Sequence, residues 1–109
     1  MDRSPDELVE LQAICPGASE MTEAGMKYHF LPKLNVPGVG ELDGLLRAQQ
    51  ASSDGYTTRL LLSKPVPGKG QNWTEHRILD RTWHTCSYNN VPATDRLAQI
   101  LANHLRALR

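Results

Sequence analysis

The chain passes from its last predicted strand to its last helix through Arg81-Thr82-Trp83-His84-Thr85-Cys86-Ser87-Tyr88-Asn89-Asn90. The period-two alternation of a strand places Trp83, Thr85 and Ser87 on one face of this segment. His84 and Cys86 then share the opposite face. An imidazole, a thiol, hydroxyls and amides therefore meet where a strand becomes a loop, a place that often carries function in small domains.

A helix is predicted after this segment. Pro92 suits a first helical turn, and apolar side chains then recur at helical spacing as far as about Leu108. They form one stripe: Leu97, Ile100, Leu101, Leu105 and Leu108.

The N-terminus also has the signals of a helix. Ser4 is the predicted N-cap, Pro5 stands at the first helical position, and Glu7 follows the cap at capping-box spacing. We predict a helix over residues 5–14. Cys15 follows it and is expected to pack as a small, inert hydrophobe.

Extended segments fill the middle of the chain. Tyr28 and Phe30 are predicted to share a strand face with Leu34 and Val36, and Pro32 is predicted to mark a bulge or a sheet edge. The next strand pattern runs from Tyr56 to Leu62.

Two more short strands are predicted over residues 73–79 and 81–88, after a loop rich in proline and glycine. Strands grouped between terminal helices predict an antiparallel sheet with helices on one face, an α+β fold. A chain of 109 residues has room for one core, so residues 1–109 are expected to form one domain.

The composition excludes several functions. Twelve lysines and arginines balance twelve acidic residues, so no overall charge favours nucleic acid or an anionic membrane. No apolar run is long enough to span a membrane, and no hydrophobic leader is recognisable. We expect a cytoplasmic protein with reduced cysteines.

Cofactor and metal sites are not expected. The glycines lie in loops without the pattern of a phosphate-binding loop, so no nucleotide cofactor is predicted. Four histidines and Cys86 lack the spacing of a closed metal site. His29 is expected to face solvent and His104 to be partly exposed, with no function required of either.

Cys86 is the candidate nucleophile. Attack requires the thiolate, which Arg81, His84 or the start of the following helix would stabilise. Asn89 or Asn90 would donate an amide hydrogen bond to an oxyanion during acyl transfer. The alternative interpretation is structural: a strand end with a half-buried cysteine and loop-forming asparagines.

A family resemblance bears on this choice. The run Asp6-Glu7-Leu8-Val9-Glu10-Leu11-Gln12-Ala13-Ile14-Cys15-Pro16-Gly17 resembles the first helix of RWD domains, a non-catalytic branch of the ubiquitin-conjugating (UBC) fold. The whole chain resembles prokaryotic family E of the ubiquitin-conjugating-enzyme relatives. That resemblance rests on Tyr28-His29-Phe30-Leu31-Pro32, Gly55-Tyr56-Thr57-Thr58-Arg59-Leu60, Asn72-Trp73, Arg81-Thr82-Trp83-His84 and Leu97-Ala98-Gln99-Ile100-Leu101-Ala102-Asn103-His104-Leu105.

The resemblance implies a UBC/RWD-like fold with an N-terminal helix, a four-stranded antiparallel meander and a C-terminal helix. It also implies an enzyme that receives a ubiquitin-like protein from a ThiF-type activating enzyme as a thioester on Cys86 and passes it to an amine. His84 would tune the thiol or deprotonate the amine, and Asn89 or Asn90 would orient the carbonyl. No cofactor is implied, because ATP is consumed upstream.

Two departures from the family pattern leave alternatives. The usual His-Pro-Asn tripeptide is missing, so the oxyanion donor would be Asn72, Asn89 or Asn90, and only one helix fits after Cys86. An oxyester on Thr85 or Ser87 is a second chemical route. The other functional hypotheses are a non-catalytic RWD-type protein-binding module and a structural subunit of a larger assembly.

Overall fold

The computed structural model describes residues 5–49, 58–66, 73–86 and 91–108. Within these ranges, two helices flank six strands in the order α1 Pro5–Ile14, β1 Ser19–Glu23, β2 Met26–Val36, β3 Gly40–Arg47, β4 Arg59–Leu62, β5 Trp73–Ile78, β6 Arg81–Cys86 and α2 Leu97–Ala107. The predicted α+β class with a helix at each end is confirmed. The bounds of α1 are those predicted.

All six strands form one antiparallel sheet in the order β1-β2-β3-β4-β6-β5. The four-stranded sheet implied by the resemblance is therefore wrong in strand number. Strand β1 was not predicted from the sequence, because this edge strand is polar and mostly exposed and therefore has no alternation of apolar and polar residues. Strand β3 was also not assigned from the sequence, because the spacing of Leu42, Leu45 and Leu46 fits a helical turn as well as a strand.

The bulge predicted near Pro32 is confirmed. Leu31 pairs with Gly44 but Leu34 pairs with Leu42, so β2 carries one extra residue, and Lys33 has a φ of 54°. A shift of one residue moves every following side chain to the other face.

The bulge corrects the predicted face of β2. Tyr28 and Phe30 pack with a small cluster on one side of the sheet, whereas Leu34 and Val36 belong to the main core on the other side. We call these the open face and the helix face.

The helix face carries the main core. Leucines of β2, β3 and β4 pack there against Leu11 of α1 and against Leu97, Ile100 and Leu101 of α2, all of them buried. The open face carries a second, smaller cluster built on Leu45, Leu61 and Trp83.

The sheet curls around the open face. Glu23, at the end of edge strand β1, accepts a hydrogen bond from the Leu79 backbone N–H at 2.9 Å. Leu79 lies in the turn between β5 and β6, at the far side of the sheet, where Leu79 and Asp80 both have positive φ. This contact joins the two sides of the sheet and makes the open face concave.

The two helices are joined through carboxylates of α1. Glu7 is buried, and its Oε1 accepts the backbone N–H of Leu97, the first residue of α2, at 3.0 Å. Arg96 Nε donates to Glu10 Oε1 at 2.8 Å. Glu7 was predicted as part of a capping box of its own helix, and its carboxylate caps the second helix. The predicted N-cap, Ser4, lies outside the described residues.

His29 was predicted to face solvent and His104 to be partly exposed, and the structure corrects both predictions, because both side chains are buried. His29 is 2% exposed because it points to the helix face, directly opposite Leu46 of the main core, and Glu20 Oε2 lies 3.7 Å from its Nε2. His104 is 5% exposed because α2 turns it toward the sheet.

His104 belongs to a buried polar chain. Its Nε2 lies 2.8 Å from Thr58 Oγ1, which donates its single proton to Val91 O at 3.0 Å. The ring therefore donates from Nε2. Burial lowers the pKa of His104 to about 4.

No helix in the described part of the chain is long and apolar enough to cross a membrane.

We predict that His104 makes the fold acid-sensitive. In the unfolded chain this histidine takes up a proton below pH 6.5, whereas in the folded chain it stays neutral down to about pH 4. Its contribution to the free energy of unfolding is therefore fully present above pH 6.5 and is lost as the pH falls from 6.5 to about 4. The loss is about 3 kcal/mol. Urea unfolding at several pH values measures it. His104→Gln, which does not titrate, should lose less stability over this window, and an equal loss in both proteins would contradict the prediction.

Candidate functional site

The candidate site lies at the end of β6, beside α2. Leu62 pairs with His84 and Trp73 pairs with Cys86. Because directly opposed residues of antiparallel strands point to the same side, His84 and Cys86 share the helix face with Leu62.

Cys86 is half-buried against the main core. It borders a small cavity of about 10 Å³ between the sheet and α2, about enough for one water molecule. Leu60, Trp73 and His104 also line this cavity. A thiol in this position has little room to attack a protein-sized substrate.

The electrostatics of Cys86 oppose thiolate formation. Burial raises the pKa of the thiol above its ordinary value of 9.0, and this effect outweighs two smaller ones that lower it, a hydrogen bond to its own backbone and the positive charge of Arg59. A nucleophilic cysteine needs the opposite shift. The half-buried state agrees with the structural interpretation of this cysteine.

The cation expected to support the thiolate lies elsewhere. Arg81 Nη2 donates to Asp43 Oδ2 at 3.1 Å, and its guanidinium lies 4.6 Å from the ring of Trp83 and 5.9 Å from that of Phe30. Arg81 therefore packs on the open face, as strand alternation requires of a residue five before Cys86.

Of the two alternative nucleophiles, Thr85 and Ser87, the structure describes Thr85. Thr85 is buried, and its hydroxyl donates to Leu60 O at 2.9 Å, so its proton already holds β6 to β4. Ser87 lies outside the described residues. The predicted oxyanion donors Asn89 and Asn90 also lie outside them, as does Asn72.

Sequence reasoning missed two buried arginines, Arg47 and Arg59. They are 5% and 6% exposed and oppose each other across β3 and β4. The available signal was an arginine directly beside a run of leucines, in Leu45-Leu46-Arg47 and Arg59-Leu60-Leu61-Leu62. A charged residue in such a run is unusual, because burying an arginine requires compensation.

No group of three or more histidine, cysteine, aspartate or glutamate side chains within the described ranges is arranged to hold a metal ion.

Comparison with known proteins gave no match to a family model, a curated protein or a solved structure.

We predict slow alkylation of Cys86. In a Cys15→Ala variant, where Cys86 is the remaining thiol, iodoacetamide should react about tenfold more slowly with the folded protein than with the urea-unfolded chain, because burial lowers the thiolate fraction. Mass spectrometry of quenched samples gives both rates. Equal rates, or faster reaction of the folded protein, would show an activated thiol.

Proposed function

We propose that this protein is a ubiquitin-conjugating-enzyme-like domain that serves as a non-catalytic, RWD-type protein-binding module in a bacterial ubiquitin-like modification system. The resemblance of the sequence to the prokaryotic relatives of ubiquitin-conjugating enzymes supports the proposed role in a ubiquitin-like modification system. The observation that favours binding over catalysis is the half-buried Cys86 thiol, whose pKa is raised by burial.

The outer side of α1 is the proposed binding surface. Val9 is 64% exposed and Ile14 50% exposed, although both are large apolar side chains on a helix whose other side is docked on the core. Glu10 lies on the same outer side and already pairs with Arg96. A contiguous exposed apolar patch rimmed by charged residues is typical of a surface that binds another protein, and we propose that Val9 and Ile14 contribute to such a patch. The proposed partners are the ThiF-type activating enzyme and the ubiquitin-like protein.

The second candidate function is that of the conjugating enzyme itself. One observation favours it: the positive charge of Arg59 acts on Cys86 and lowers its pKa, against the larger effect of burial. If a partner opened the cavity beside α2, the burial would be relieved and the charge would remain. Cys86 would then attack the activated carbonyl of the ubiquitin-like protein, forming the thioester and releasing the leaving group of the activating enzyme.

The two functions predict different products in one experiment. The protein is mixed with a ThiF-type activating enzyme, its ubiquitin-like protein and ATP, and the mixture is examined on gels with and without reductant. We expect a complex on size exclusion but no reducible adduct. A reducible adduct that survives Cys15→Ser and is lost in Cys86→Ser would establish the enzyme and overturn the binding module.

The binding surface has its own test. Val9→Asp with Ile14→Asp should weaken the complex about tenfold or more, because two exposed apolar contacts are lost without any change in the core. Val39→Asp is the matched control, since Val39 is 38% exposed and lies in the turn between β2 and β3, away from α1. Equal affinities for all three proteins would remove α1 from the interface.

A further inference from the structure

Strand β5 forms one edge of the sheet. Within the described residues it pairs with β6 on one side and has no neighbouring strand on the other. All six of its residues, Trp73–Ile78, pair with β6 in one continuous register without a bulge. A regular edge strand can take up a further strand on its outer side, because its backbone repeats the geometry of the ladder behind it.

The sequence of β5 carries none of the usual obstacles to such pairing. The edges of protein sheets are commonly protected by proline, by lysine, by a bulge or by like charges. Strand β5 has no proline, glycine or lysine, and it carries one acidic and one basic residue, Glu75 and Arg77. The opposite edge is different: β1 carries Glu20 and Glu23 and no basic residue, so two copies of β1 would repel each other.

Symmetry restricts the ways in which two copies of β5 can pair. A two-fold axis perpendicular to the sheet keeps each face continuous from one copy to the next, so opposed residues belong to the same face. The axis then passes beside one residue, which opposes its own counterpart. With the axis at His76, Glu75 of each copy opposes Arg77 of the other. An axis at Glu75 would place two glutamates opposite each other, and an axis at Arg77 would do the same to two arginines.

Both charged side chains are available for this contact. Glu75 and Arg77 are exposed, and they share the helix face because Glu75 pairs with His84 of that face. Arg77 Nη2 donates to Asp80 O at 3.4 Å, a long hydrogen bond that occupies one of the N–H donors of its guanidinium. Among the described residues, none forms a hydrogen bond or an ion pair with the Glu75 side chain.

The remaining pairs also suit a shared sheet. On the open face, Thr74 of each copy opposes Ile78 of the other, and both are β-branched residues, which favour strands. Cross-strand pairs of opposite charge stabilise antiparallel strands, and like charges at opposed positions destabilise them. Strand β5 is therefore complementary to itself when the axis lies at His76, and the partner that fits it is a second copy of this chain.

We propose that β5 pairs with β5 of a second copy of this chain, antiparallel and across a two-fold axis at His76, so that two six-stranded sheets become one continuous sheet. Glu75 and Arg77 form the two symmetric ion pairs. The interface lies at the sheet edge and does not use the outer side of α1, so it is independent of the proposed function. Six residues from each copy bury little surface, and we therefore expect a dimer in reversible equilibrium with the monomer at micromolar concentrations.

Sedimentation equilibrium of the full chain, from about 1 µM to about 1 mM, tests the proposal. We expect the mean mass to rise from 12.2 kDa toward twice that value. Glu75→Arg alone and Arg77→Glu alone each place like charges opposite each other at both symmetric positions and should weaken the dimer about tenfold or more. A chain that stays monomeric at the highest concentration, or a mass that grows beyond the dimer, would overturn the proposal.

An equimolar mixture of the two variants separates the proposed register from a loss of fold. In a mixed dimer every altered side chain faces an opposite charge, so dimers should form again although each variant alone dimerises weakly. Glu41→Arg is the matched control, because it makes the same change at an exposed position of β3, and it should dimerise like the unaltered chain. Lack of recovery in the mixture would overturn the register. A dimer that Glu75→Arg leaves unchanged, or equal loss in Glu41→Arg, would overturn the role of β5.

Discussion

The single extra residue in β2 is the constraint on which the rest of the structure depends. Without it, Tyr28 and Phe30 would point to the same side as Leu34 and Val36, and Leu31 would point to the opposite side, so Leu31 could not share the main core with Leu34 and Val36. The bulge divides the apolar side chains of β2 between two clusters. A chain with few apolar residues can thus cover one face with helices and curl the sheet around the other.

The division between faces also decides what the β6 segment can do. Alternation places Trp83 and Thr85 on the side away from the helices and Cys86 on the side facing α2. The thiol is therefore partly buried against the apolar side chains of the main core. Its raised pKa is a consequence of that position rather than of a local motif. His104 has a lowered pKa for the same reason, since burial disfavours the charged form of an acid and of a base alike.

Local signals in the sequence were sufficient for some of the elements that carry them, but the prediction that Pro92 lies in the first turn of the last helix was wrong, because α2 begins at Leu97. The bounds of α1, the bulge near Pro32 and the shared face of His84 and Cys86 all follow from capping residues, proline and period-two alternation. Burial of His29 and the use of Glu7 to cap α2 depend on contacts between distant segments, which no local pattern encodes. The candidate site was located by its chemistry, but the environment that sets its reactivity is made by α2.

Arg59 connects the two sides of the sheet. Its charge acts on Cys86 at the helix face, and its side chain lines a cavity of the open face next to Arg47. Burial and this charge act on the same thiol in opposite directions, and burial has the larger effect on its pKa. A partner that exposed Cys86 without moving Arg59 would remove the larger effect and leave the smaller one, so the reactivity of the thiol depends on how closely α2 packs against the end of β6.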